Sequence, residues 1–125
     1  MDLRPIEREN WQVYLDELSK AIQGNYVEIE IAGVGLGDQV EEAWVPLIGL
    51  SYDPKEDIMF VHMDECERII HEPKELVALF DRNDRVNSLV IKDSQGNVNT
   101  VKFRAPVLLE SGRRTGVDAT TSPTP

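Results

Sequence analysis

His62, Cys66 and His71 are the only histidines and the only cysteine in the chain, and all three fall within ten positions. Asp64, Glu65, Glu67 and Glu72 stand among them. A thiolate, two imidazoles and a carboxylate form a ligand set that zinc accepts. A cysteine beside a histidine, oriented by a third polar group, is a nucleophile. Either chemistry requires the side chains to converge. The spacing His-x3-Cys-x4-His matches no standard zinc finger. Cys66 and His71 are also five apart, which puts them on opposite faces of any continuous strand. His62, Cys66 and His71 are therefore carried forward as candidates for a metal-binding protein or small enzyme, with the expectation that they do not meet. No catalytic residue, metal or cofactor is assigned.

Two other stretches invite a chemical reading. Glu28 and Glu30 share one face of YVEIEIA, where paired carboxylates can bind a cation or exchange protons. A solvated outer face of a half-buried strand accounts for them as well. The segment AGVGLGDQ, residues 32–39, has glycines at 33, 35 and 37. That is not the spacing of a dinucleotide loop, and no Lys-Ser/Thr pair follows. Asp38, Glu41 and Glu42 would repel phosphate. A wide turn or bulge between strands is expected here.

The elements that must position these residues centre on residues 44–63, WVPLIGLSYDPKEDIMFVHM. The stretch reads as two strands folded back over an Asp53-Pro54 turn. Ile48, Leu50 and Tyr52 are expected on one face, with Leu47, Gly49 and Ser51 on the other. Gly49 marks a strongly bent strand or a close neighbour. The return strand, 58–63, is apolar on both faces and reads as central. Before the hairpin, residues 1–9 read as an arm with little structure of its own. Asn10 then caps a helix through about Gln23. Trp11, Tyr14, Leu15, Leu18 and Ile22 form its apolar stripe, and Gly24 stops it in a left-handed conformation. Residues 26–32 alternate as a strand, with Val27, Ile29 and Ile31 inward. After the hairpin come a short strand or one turn of helix at 76–80, a turn at 82–85, and a second hairpin of 88–93 and 97–104 across Ser94-Gln95-Gly96. Leu89, Ile91, Val98 and Val101 or Phe103 form its inward set.

The expected class is α+β: an N-terminal amphipathic helix packed on a mostly antiparallel bent sheet or small barrel of about five to seven strands. A chain of 125 residues has room for one such domain. Its extent is placed at residues 10–106, after the arm at 1–9 and before a disordered, Pro-, Gly-, Ser- and Thr-rich tail at 107–125. No apolar run approaches the ~20 residues of a membrane-spanning helix. A lone cysteine builds no disulfide framework, and the charged N-terminus is unlike a signal peptide, so a cytoplasmic location is expected. The formal net charge is −10, and the charges after Ala105 cancel, so all of it lies on residues 1–104. A surface that acidic repels a phosphate backbone, so neither nucleic acid nor membrane is an expected partner.

Taken together, ENWQVYLDELS, GNYVEIEIAGVGLGDQVEE, PLIGLSYDPKED, RIIHEPKEL and LVIKDSQGNVNTVKFRAP resemble a family of short bacterial proteins known only as a domain of unknown function. The resemblance covers about residues 6–106, brings no catalytic signature, and implies no site residues. One helix followed by bent antiparallel strands, with Gly49 in a long strand and an acidic turn after it, also looks like the Sm-type small barrel. The second half lacks the basic residue and glycine that such barrels use around RNA. The expected function is a non-catalytic protein-interaction or assembly module. It would have an exposed apolar patch drawn from Trp44, Phe60, Leu108 or Leu109, and a basic protein or a second copy as its partner. The alternatives are the metal or enzyme reading above and an Sm-like nucleic-acid binder.

Overall fold

The computed structural model describes residues 2–22, 24–33 and 37–109. Eight strands dominate it: β1 (Asp2–Ile6), β2 (Tyr26–Gly33), β3 (Gly37–Asp53), β4 (Ile58–Met63), β5 (Cys66–His71), β6 (Pro73–Phe80), β7 (Val86–Asp93) and β8 (Val98–Val107). A 3-10 turn over Arg8–Asn10 leads into the helix α1, Trp11–Ala21. The strands form one antiparallel sheet in the order β1-β6-β7-β8-β2-β3-β4-β5. The ends of that order, β1 and β5, do not pair with each other, so the sheet is open. This overturns the expected α+β fold of a helix on five to seven strands, small barrel included. Residues 2–6, read as an arm, are an edge strand against Leu76–Phe80. Residues 66–71, read as loop and core, are a further strand against β4.

The helix forms where its stripe predicts. Trp11, Leu15, Leu18 and Ile22 are fully buried. Asn10 sits at the N-cap position but makes no side-chain cap bond. Gly24 follows at φ +81°, a conformation that only a residue without Cβ adopts without strain. The helix packs on β3 at the point where β2 has ended, since Tyr26 is the first β2 residue and pairs with Pro46. Beyond Pro46 the β3 edge would be bare. There the Ser19 hydroxyl accepts from the Leu50 amide at 2.7 Å and donates to the Leu50 carbonyl at 2.6 Å.

The inner face of the sheet is apolar at alternate positions, as in Val27, Ile29 and Ile31 of β2 and Met59, Val61 and Met63 of β4. The sheet curls until β5 lies across from β8. The fully buried Asn99 on β8 accepts from both Nε and Nη2 of Arg68 on β5, at 3.2 and 2.8 Å, and donates to the Ile91 carbonyl. β8 runs to Val107 and Leu109 is buried, past the expected boundary at 106. The rest of the expected tail, from residue 110, lies outside the described residues. No helix among the described residues is long and apolar enough to cross a membrane.

Candidate interaction surface

The β4–β5 register separates the three residues singled out for chemistry. His62 pairs with Glu67, Cys66 with Met63, and His71 with Ile58 at the far end of the hairpin. Cys66 is half-buried against the core, and His71 is exposed. Among the described residues no three His, Cys, Asp or Glu side chains gather to hold a metal. His62 instead has two partners that spacing did not point to. Its Nδ1 lies 2.6 Å from Glu67 Oε2, and its Nε2 lies 3.2 Å from Ser51 Oγ. Phe60 stacks on the ring, 5.4 Å between centroids. Ser51 and Glu67 come from strands on either side of β4, so only the strand pairing brings them together.

The remaining ionic groups brace the fold. Lys102 lies 3.7 Å from Glu28 and 3.1 Å from Glu30, which answers for the paired carboxylates of β2. The glycine segment falls at the β2–β3 hairpin, where Gly33 pairs with Gly37, and residues 34–36 lie outside the described residues. Arg8 ties the 3-10 turn to three elements, donating to Tyr52 Oη, Asp57 Oδ1 and the Pro73 carbonyl while lying over the Trp11 ring. Tyr52 donates to Asp57 at 2.7 Å. That hydroxyl, with the Arg8 guanidinium, holds the Asp57 carboxyl below its ordinary range, while burial and the Asp57 carboxylate push the Tyr52 phenol up.

The feature that structural bracing does not account for is apolar. β3 carries extra residues on both sides. Against β2, Val27 pairs with Val45 but Ile29 pairs with Glu42, so three β3 residues oppose two. Against β4, Leu47 pairs with Met63 and Gly49 with His62, which leaves Ile48 over. Such bulges re-aim side chains. Ile48, expected on the same face as Leu50 and Tyr52, is turned out to 59% exposure while those two are buried, and Leu47, expected opposite them, is buried as well. Trp44 is 41% exposed and has φ of 53°, a strained conformation for a bulky residue. The other four non-glycine residues at positive φ among the described ones, Asp57, Glu65, Glu72 and Asp84, lie between strands.

Trp44, exposed Pro46 and Ile48 follow one another at every second position, and Tyr26, 39% exposed, is the cross-strand partner of Pro46. Arg104 lies over the Tyr26 ring at 5.4 Å. On the other side the Pro46 carbonyl accepts from the Asp64 amide of the β4–β5 turn. Next to Tyr26 opens a hollow of about 460 Å³, lined by Gly24, Arg104, Ala105, Pro106 and the exposed Leu108 among others. Of the four residues expected to form a patch, Trp44 and Leu108 are exposed, Phe60 is half-buried, and Leu109 is buried.

An uncharacterized protein of Aquifex aeolicus (strain VF5) is 31% identical over 110 residues, spanning 87% of this chain and 98% of that protein. No solved structure matches. The model of a family of unknown function, DUF5335, matches residues 3–111, nearly the whole of the described sheet, and the chain belongs to that family.

Proposed function

We propose that the protein is a non-catalytic protein-interaction module of the cytoplasm, and that its docking face is the outer surface of β2 and β3. The observation that carries this is the exposed run Trp44–Pro46–Ile48, turned outward by two bulges. An αL backbone at a non-glycine residue costs on the order of 1–3 kcal/mol, and such strain gathers at positions kept for what they present. An outward tryptophan beside a proline and an isoleucine is the kind of anchor that interfaces bury. The acidic surface favours a protein partner over nucleic acid. The test is retention of a partner from native extract by the intact protein. Retention is expected to be lost with Trp44→Ala and kept with Val13→Ala, which alters a still more exposed apolar residue on α1. Equal retention by both variants would sink the reading.

One observation favours a second reading, a small hydrolase built on His62. Ser51, His62 and Glu67 make a nucleophile–base–orienter series with Nε2 toward the hydroxyl and Nδ1 toward the carboxylate. Ser51 would attack an acyl carbon and pass its proton to His62, which gives it to the departing group; water, deprotonated by His62, would then release the acid and restore the Ser51 hydroxyl. The series lies half-exposed on the outer sheet face, and the hollows beside Tyr26, Tyr52 and His71 are lined by other residues. A fluorophosphonate probe decides it: labelling of Ser51 that disappears in His62→Ala supports the hydrolase, and no labelling rejects it.

A further inference from the structure

The docking face has charge at both ends. Across the strands it runs Arg104 on β8, Tyr26 on β2, Pro46 on β3, then Asp64 and Glu65 in the β4–β5 turn. The cation at one end and the exposed carboxylates at the other enclose an apolar centre. Lengthwise, Ile48 projects beyond Pro46, and the hollow opens beyond Tyr26 at the same level, since Leu47 donates its amide to the Asn25 carbonyl. An exposed aliphatic side chain of β3 and a hollow at the start of β2 therefore lie side by side at one level of the sheet.

We propose that the occupant of this face is a second copy of the same chain, related by a two-fold axis that runs along the strands between Tyr26 and Pro46. The inference rests on the reading of β2 and β3 as a docking face and names what docks. Rotation about that axis exchanges the two ends of the row. Arg104 of each copy then meets Asp64 and Glu65 of the other, Pro46 lies over Tyr26, and Ile48 faces the hollow beside Tyr26. Such an interface is isologous, each patch being its own complement. An axis along the row instead would set Arg104 against Arg104 and the acidic turn against itself, which opposed like charges disfavour. The charge pattern thus selects one of the two ways in which the patch can meet itself. A partner with a uniformly basic surface would satisfy Asp64 and Glu65 but would repel Arg104.

Sedimentation velocity of the full chain from micromolar to millimolar concentration is the test. A dimer is expected at the upper end, and Ile48→Glu is expected to raise its dissociation constant by at least tenfold with an unchanged far-ultraviolet spectrum. Arg104→Glu alone and Asp64→Arg/Glu65→Arg are each expected to weaken it. Combining all three substitutions in one chain should recover much of the loss, because the exchanged ends remain complementary. These substitutions are exposed, so recovery also shows that the folds are intact. A monomer at millimolar concentration, a dimer indifferent to Ile48→Glu, or failure of the combined variant to recover overturns the proposal. If the chain is a monomer yet Trp44→Ala still abolishes retention of another protein, the docking face stands and the second copy does not.

Discussion

The Ser19 hydroxyl closes both backbone hydrogen bonds of Leu50, one as acceptor at 2.7 Å and one as donor at 2.6 Å. One side chain of α1 thereby stands in for the neighbour that β3 loses where β2 begins. Ser19→Ala leaves a half-buried amide and carbonyl unpaired, and the expected cost is about 2 kcal/mol. The check is urea denaturation, read as a lower midpoint at constant slope. Gly49, by contrast, is not held to glycine by this contact. A Cβ there would stand 3.7 Å from Ser19 Oγ, an ordinary contact, so Gly49→Ala is expected to change stability by less than about 0.5 kcal/mol.

Tyr14 sits on the helix stripe with its hydroxyl buried and without a hydrogen-bond partner, and burial pushes its phenol up to about 12. Tyr14→Phe removes the unpaired group and is expected to leave stability unchanged or raise it by about 1 kcal/mol. The pH dependence has a definite sign. Between pH 10, the ordinary phenol value, and pH 12 the unfolded chain loses the Tyr14 proton while the folded chain keeps it, so stability falls as pH rises. The Tyr14→Phe variant should lose less stability than the parent over that window. Tyr52 titrates upward too but is present in both proteins. Parallel denaturation curves for the two from pH 9 to pH 12 would contradict the assignment.

Asp57 joins the Arg8 and Tyr52 contacts at the corner where the β3–β4 turn, the 3-10 turn and β6 meet. Its folded carboxyl titrates below the ordinary value of 3.8, chiefly because the Tyr52 hydroxyl donates to it. The associated stability is fully present above pH 3.8 and disappears as pH falls through the folded value. Asp57→Asn is expected to cost about 1 kcal/mol at neutral pH, discounted for partial exposure. The cost should shrink as pH falls below 3.8. Thermal unfolding of both proteins at a series of pH values falling from 7 reads the difference, and a cost that does not shrink as pH falls below 3.8 would point away from the carboxylate.

Trp44 supplies the sharpest test of strain. At φ 53° asparagine is at ease and tryptophan is not. Trp44→Asn is expected to raise stability by about 1 kcal/mol while it weakens whatever association the outer face supports. Calorimetry and sedimentation on one preparation measure both. A destabilised variant would mean that the tryptophan is packed for the fold rather than presented.

Local pattern made much of this legible. The α1 stripe, the alternation of β2, the Asp53-Pro54 turn, and the hairpin of β7 and β8 follow from periodicity and turn chemistry. Other features were not legible, and three of them share a reason. The edge strand over Asp2–Ile6 holds Pro5 and two charges and becomes a strand only because β6 offers it partners some seventy residues later. The outward turn of Ile48 depends on a bulge, whose position alternation cannot supply because one extra residue reverses every face after it. Ser51 and Glu67 become neighbours of His62 only through register. Counting positions from His62 to Cys66 and His71 looked along the chain, whereas its partners lie across it.

The strand order also dictates a sequence of events. β2 through β5 are joined by successive hairpins, and so are β6 through β8. Each meander closes short loops, which are entropically the cheapest to form. Joining them requires β2 to find β8, Glu28 meeting Lys102, and β1 can be added only once β6 is in place. The two meanders are therefore expected to form early and their junction late. Arg104 belongs to one meander, and Tyr26, Pro46 and Asp64 belong to the other. A face assembled across that seam does not exist on a half-folded chain, so a second copy would be recruited only by molecules that have completed folding.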